Sequence, residues 1–211
     1  MKRAYALSAG AALLALTWAG PLPENVPRSF LAHMTMHMSV VAVAAPLLVL
    51  GMRPRTGTVL QRVSMSPLLA ATALFDLIVI WGWHTPLAHE AARTRPLFLA
   101  AEQASFLLVA LLLWSSALYP RSGQGRLFGA GILLFTSMHM SLLGVLISLA
   151  QTPICRKLPQ DPPPFGLTTM QDQQIGGLMM LGIGGTVYLA AGLLLLSTVL
   201  RGQGDISGEH R

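Results

Sequence analysis

Long apolar runs alternate with short polar stretches along almost the whole chain. A membrane-crossing helix needs about 20 largely apolar residues, within a range of roughly 17–25. The pattern therefore predicts an all-α fold: a polytopic membrane helix bundle of about six transmembrane helices, built as a single membrane domain over residues 1–211 with a polar tail at 201–211. The predicted spans are 4–20, 30–50, 67–83, 97–118, 126–150 and 177–200.

The stretches between the spans carry the Gly, Pro and charged residues that loops favour. Examples are "GPLPENVPRS", "GMRPRTGTVLQRVSMS" and "YPRSGQGR". The longest connection, 151–176, contains the Pro-rich "QDPPPFG" and is predicted to be irregular at the aqueous surface.

The composition supports a membrane protein and narrows its partners. Hydrophobic residues make up 53% of the 211 residues and charged residues 10%, with a mean hydropathy of +0.60. A soluble domain usually has about 25% charged residues. The net charge of +6 is attributed to membrane topology, and we expect no nucleic-acid partner because basic patches interleaved with aromatic residues are lacking. The single Cys155 cannot form an internal disulfide.

The distribution of Lys and Arg predicts the orientation, because cytoplasmic loops carry an excess of both. Nine of the fourteen lie on one side of the predicted bundle and five on the other. The richer side includes both termini, which are therefore predicted to be cytoplasmic. Its segments are 1–3, 51–66, 119–126 and 201–211, and those of the opposite, outer side are 21–29, 84–96 and 151–176.

The first span also resembles a signal peptide. The stretch "MKRAYALSAGAALLALTWAG" has a basic start and a short apolar run. Trp18 stands where a cleavage site needs a small residue, so we expect a retained helix.

Ionisable residues converge on the outer half of the predicted bundle. Such side chains are costly in lipid and usually face a bundle interior or a wet cavity. His139 is the deepest: it precedes residue 150 by eleven positions, which places it about 16 Å below the outer boundary. His33 and His37 are four residues apart and share one helical face. The whole group consists of His33, His37, Asp76, His84, His89, Glu102, His139 and Asp172.

Methionines accompany two of these histidine positions. Three surround the first histidine pair, and two more, Met138 and Met140, flank His139. Imidazole and thioether together favour copper, Cu(I) especially, over magnesium or calcium. We therefore predict a copper site in which carboxylates orient the liganding imidazoles or line the cavity. The predicted ligands are His33, His37, His84, His139, Met34 and Met138, and the predicted supporting residues are Asp76, His89, Glu102, Asp172 and Gln173.

Two plainer interpretations stay open. Histidines four residues apart in a membrane helix can simply hydrogen-bond neighbouring helices, and methionine is a common apolar filler. Asp76 fits a helix-bonding role as well as an orienting one. The convergence of several histidines, rather than any single one, favours the metal site.

Five short motifs occur in a defined order: "HMTMHM" followed by "AAPLLVLG", then "WHTPLAHEAA", "AEQASFLL", "MHMSLLGVLI" and "LTTMQDQQIGGLMM". In these motifs the chain resembles the CtaG family of cytochrome c oxidase assembly factors, the type associated with caa3 oxidases, over residues 28–200. The resemblance implies a multi-pass protein of the bacterial inner (cytoplasmic) membrane that is needed to form active oxidase. It also implies that the oxidase subunits and the lipid bilayer are partners and that the protein delivers or handles copper. The matching positions are His33, His37, His84, His139, Asp172 and Gln173.

Span four departs from this resemblance. The family pattern has histidines near the glutamate, whereas "FLAAEQASFL" keeps Glu102 beside Gln103 and alanines. A metal site that depends on a span-four histidine is therefore not expected, and His89 matches the family less clearly.

The start of span six allows two interpretations. Thr168 or Thr169 is predicted to cap a helical turn there. Asp172 would then lie near the positive end of that helix and bond its free amides. Alternatively, Asp172 closes the outer cavity and bonds a histidine.

Three functions are compatible with the sequence. The first is an oxidase assembly factor that binds copper transiently, and the second is a membrane haem protein in which His37 and His139 ligate the iron. The third is a structural accessory partner of the oxidase that binds no metal. We do not expect an enzyme, because HExxH, GxSxG and comparable arrangements are missing from the sequence.

Overall fold

The computed structural model describes residues 2–53, 66–120, 122–154 and 166–208. Every regular element in these ranges is helical, which confirms the predicted all-α fold. Cys155 and most of "QDPPPFG" lie outside the described residues.

The described helices are numbered here in chain order. A π-helical turn, Ser39–Ala44, joins α3 to α4, and a second one, Met180–Gly184, joins α9 to α10. The helices are α1 (Lys2–Ala19), α2 (Leu22–Asn25), α3 (Phe30–Met38), α4 (Ala45–Met52), α5 (Ser66–Trp83), α6 (Pro86–Thr94), α7 (Pro96–Leu118), α8 (Gly123–Leu149), α9 (Thr169–Met179) and α10 (Gly185–Gly208).

Within the described ranges, five helical stretches are long and apolar enough to cross a bilayer, so the chain is a membrane protein. The apolar part of α5, Ala70–Trp83, is shorter. A sixth crossing and the orientation of the termini stay predictions. The five stretches are Lys2–Asn25, Phe30–Met52, Pro96–Leu118, Gly123–Leu149 and Thr169–Arg201.

Small residues let neighbouring helices approach closely, as is common in membrane bundles. A Cβ atom on Gly51 of α4 would lie 2.8 Å from the backbone nitrogen of Leu7 in α1. A Cβ atom on Gly144 of α8 would lie 2.8 Å from the carbonyl oxygen of Gly177 in α9. Any larger residue at either glycine would push a helix pair apart.

The first π-helical turn is hydrogen-bonded to two other helices in the bundle interior. Wide turns of this kind alter the helical hydrogen-bond pattern and are frequent at functional sites. The carbonyl oxygen of Val41 accepts hydrogen bonds from the Trp114 indole and the Tyr188 hydroxyl, each over 3.0 Å. Because Val41 follows His37 by one helical turn, α7 and α10 together hold the histidine-bearing helix in place.

Candidate metal centre

The helix α3 brings two histidines into the bundle interior. Its N-cap is Ser29, whose hydroxyl accepts a hydrogen bond from the Ala32 amide over 3.0 Å. His33 and His37 are both fully buried. They are one turn apart, so His37 lies about 6 Å deeper along the helix axis.

Asp172 holds the start of this helix from α9. Its carboxylate accepts hydrogen bonds from the Ser29 hydroxyl over 2.7 Å and from the Phe30 amide over 2.5 Å. A negative charge is favourable at a helix N-terminus. Thr168 forms the predicted cap of α9, in a reciprocal pair with Gln171. The two predictions for Asp172 were a bond to the amides of its own helix and a bond to a histidine. In the structure its carboxylate instead bonds the start of another helix, α3.

Gln173 has a similar joining role. Its side chain donates to the carbonyl oxygen of Ile147 in α8 over 3.3 Å and accepts from the amide of Ile154 over 2.7 Å. These bonds attach α9 to the end of α8, and they leave the amide group engaged with the backbone.

His89 reaches the same interior from the short helix α6. Arg93, one turn later, donates to the carbonyl oxygen of Pro27 over 2.6 Å, which ties α6 to the loop before α3. The His89 ring stacks on His33, with ring centroids 4.5 Å apart and planes inclined by 12°. Burial lowers the pKa of His89 well below its usual value, and neighbouring histidines and Arg93 lower it further. The ring is therefore neutral and has a lone pair to offer a metal.

Glu102, near the start of α7, supplies a carboxylate. Its Oε2 atom lies 2.6 Å from Nε2 of His33 and accepts a hydrogen bond from the Gln103 amide over 3.3 Å. Gln103 accepts in turn from the Trp18 indole over 3.4 Å. A line of contacts thus runs from α1 to Glu102.

Among the described residues, His33, His89 and Glu102 are arranged so that they could hold one metal ion. Each of His33, His89 and Glu102 offers one ligand atom, and the three atoms lie within 4.8 Å of one another. All three residues are buried. Two imidazoles and one carboxylate make a nitrogen and oxygen donor set that suits divalent transition metals.

His84 and His37 lie beside this group. Nδ1 of His84 lies 2.6 Å from the carbonyl oxygen of Ile80. Since a carbonyl only accepts, Nδ1 carries the hydrogen and Nε2 presents its lone pair. The rings of His37 and His84 have centroids 5.3 Å apart, and Phe106 stacks on His37 at 4.1 Å. We call His33, His37, His84, His89 and Glu102 the histidine pocket.

His139 takes a different position from the one that the copper prediction gave it. Its Nε2 lies 3.2 Å from Oδ2 of Asp76, and both side chains are buried. Asp76 precedes His84 by eight residues, about 12 Å along α5. The structure therefore brings His33, His37 and His84 together and places His139 with Asp76 in a separate, deeper pair.

The two methionines of the predicted ligand set lie in opposite environments. Met34 is fully buried, and its Cγ would lie 3.2 Å from a Cβ atom on Gly176. Met138 is 62% exposed, on the outer surface of the bundle.

Sequence reasoning gave His89 and Glu102 only a supporting role, yet both belong to the group with metal-binding geometry. A signal was present for His89, because Thr85-Pro86 marks a helix start and places His89 within the first turns. Trp18 and Gln103 were not singled out, and their contact across 85 positions has no local signal.

A family model described as cytochrome c oxidase caa3 assembly factor matches residues 1–202. The comparisons with curated proteins and with solved structures returned no match.

Proposed function

Because the chain belongs to the family of cytochrome c oxidase caa3 assembly factors, we propose that it serves oxidase assembly by binding copper in the histidine pocket and passing it on. The protein acts in the bacterial inner membrane, with subunits of the oxidase as its partners. This role requires binding and release of an ion and no catalysed reaction.

The observation that carries the proposal is a set of buried ring nitrogens without partners. Buried polar atoms are normally hydrogen-bonded. Among the described residues, six ring nitrogens of the histidine pocket have no hydrogen-bond partner: both nitrogens of His37 and His89, Nδ1 of His33 and Nε2 of His84. A neutral imidazole has one N–H and one lone pair, so each of these four rings keeps one lone pair that a bound metal ion would accept.

The chemistry of the donors favours a transition metal. Imidazole suits copper, zinc, iron and nickel, whereas magnesium and calcium prefer all-oxygen sites. At Glu102 an ion would replace the hydrogen held between the carboxylate and Nε2 of His33, so binding is expected to release a proton. Copper is preferred over zinc because the oxidase family is the context of the protein, and zinc serves as the competing ion in the test.

Measurements on the purified protein also distinguish copper binding from the two alternatives, a haem protein and a structural accessory partner. Haem ligation by His37 and His139 requires His139 to leave Asp76, and it predicts a Soret band in the purified protein. A structural accessory partner predicts neither a Soret band nor a stoichiometric metal. The roles of Asp172 and Gln173 in joining helices are compatible with a structural accessory partner.

The decisive experiment measures copper in detergent-purified protein by elemental analysis and by titration, with zinc as a competitor. We expect stoichiometric copper in the wild type, and clearly less copper per protein in His33→Ala and Glu102→Ala. Membranes from cells carrying these variants should have little caa3-type oxidase activity. The exposed Met138→Leu is the matched control. Wild-type protein without copper, or variants that bind copper like the control, would refute the proposal.

A further inference from the structure

We infer that the histidine pocket has two metal positions at different depths. The outer position is formed by His33, His89 and Glu102, and the inner one by His37 and His84. The inference rests on the proposed function and divides its single site into two.

The depth of the donors separates the positions. His37 lies one helical turn below His33, about 6 Å along α3. The ligand atoms that lie within 4.8 Å of one another belong to His33, His89 and Glu102, and His37 and His84 are not part of that group. An ion bound between the first three residues therefore leaves the lower pair of imidazoles unused.

The inner pair has the features of a site in its own right. His37 is fully buried and His84 is 9% exposed. In the part of the chain that the structure describes, neither nitrogen of His37 has a hydrogen-bond partner, nor does Nε2 of His84. The carbonyl of Ile80 fixes the hydrogen of His84 on Nδ1, so its free lone pair is on Nε2. The two rings lie side by side in a tilted arrangement, with centroids 5.3 Å apart and planes inclined by 42°.

The two positions differ in charge, and this sets the ions that they prefer. The outer one includes the Glu102 carboxylate, which suits a divalent ion such as Cu²⁺ or Zn²⁺. The inner one has only neutral imidazoles and an apolar wall in Phe106, stacked on His37 at 4.1 Å. Burying a single positive charge there is less costly than burying two, and Cu⁺ accepts few ligands. We therefore assign Cu⁺ to the inner position.

His89 lies beside both positions. Its ring centroid is 4.5 Å from that of His33 and 6.0 Å from that of His84. An ion can thus exchange one imidazole at a time between the outer and inner sets, without leaving the pocket.

The test counts ions. Purified full-length protein is titrated anaerobically with Cu⁺ against a chromogenic chelator, and separately with Cu²⁺ monitored by electron paramagnetic resonance. We expect two equivalents of copper in the wild type when both ions are supplied. Glu102→Gln should lose the Cu²⁺ signal and keep one Cu⁺. His37→Gln should keep the Cu²⁺ signal and lose the tight Cu⁺, and His84→Gln provides the same test if His37→Gln fails to fold. His139→Gln, outside the pocket, should keep both ions.

The outcomes distinguish this inference from the proposed function. One equivalent in the wild type that is lost in every pocket variant would mean a single shared ion, which overturns the inference and leaves the proposed function standing. Two equivalents that are always lost together would also overturn it. A wild type without any copper would overturn both.

Discussion

Two buried histidine–carboxylate pairs occur among the residues that the structure describes, and they differ in what surrounds them. In the outer pair, Nε2 of His33 lies 2.6 Å from Glu102, and further imidazoles stack around it. In the deeper pair, Nε2 of His139 lies 3.2 Å from Asp76, and its described ring neighbour is Phe135. Both ring nitrogens of His139 also lack a hydrogen-bond partner among the described residues. The outer pair differs because further imidazole donors converge on it.

The largest expected difference between the pairs is in metal binding. Glu102→Ala should weaken copper binding by about 100-fold or more, because removal of a group that only orients a ligand already weakens it by 10–100-fold. Asp76→Ala should leave copper affinity nearly unchanged, since sites more than about 7–10 Å apart act independently. Chelator competition on both purified variants measures the contrast. Equal losses of affinity in the two variants would mean that both pairs contribute to copper binding.

The second expected difference is in stability. Asp76→Ala leaves His139 buried without its carboxylate partner, which costs roughly 1–3 kcal/mol of unfolding free energy. The measurement is a denaturation series in detergent, read by near-ultraviolet circular dichroism. The matched control is Asp76→Asn, which keeps the side-chain volume and a polar partner and should lose less. If Asp76→Ala is as stable as the wild type, the deep pair does not hold α5 and α8 together.

A smaller effect on copper affinity is expected when the contact that supports Gln103 and Glu102 is removed. Trp18→Phe removes the indole donor to Gln103 and keeps an aromatic side chain between α1 and α7. A hydrogen bond of this kind contributes about 0.5–1.5 kcal/mol, so copper affinity should fall by roughly 2–10-fold. Isothermal titration of Trp18→Phe beside the wild type measures it. An unchanged affinity would show that α1 has no influence on the outer pair.

The smallest effect is expected at Met138, the predicted thioether ligand beside the deep pair. Its side chain is 62% exposed on the bundle surface. Met138→Leu should change copper stoichiometry and affinity by less than about twofold, because replacing an exposed apolar side chain rarely shifts free energies by more than about 0.5 kcal/mol. A clear loss of copper would extend the metal centre to the deep pair after all.

Much of the architecture was predictable from the sequence, because the length and hydropathy of a membrane helix leave few alternatives. The spans at 30–50, 97–118 and 126–150 correspond to Phe30–Met52, Pro96–Leu118 and Gly123–Leu149. The π-helical turns and the hydrogen bonds that the first of them accepts from distant helices were not predicted. The Val41 carbonyl is the clearest case.

The sequence predicted which residues belong to the site better than it predicted which of them lie together. The spacing of His33 and His37 placed both on one face, and their helix enters with its N-terminus at the pocket. Depth along a helix could be counted, so the sequence predicted that His139 is deep. Which carboxylate meets which histidine depends on how helices rotate against one another, and the sequence carries no local signal for that. Glu102 was predicted only to support the site, yet its carboxylate belongs to the donor group. Asp76 was predicted to orient a ligand, and it contacts His139 outside that group.

The contact between Asp172 and the start of α3 has a consequence for the order of synthesis. The carboxylate that holds the Phe30 amide is added 142 residues after it. At about 5–20 residues per second, this separation corresponds to about 7–28 s of translation. During that interval the helix with His33 and His37 has already been made, but its first turn lacks the carboxylate that secures it. The residue that secures the start of α3 is therefore synthesised late, and the proposed metal centre lacks this support until Asp172 has been translated.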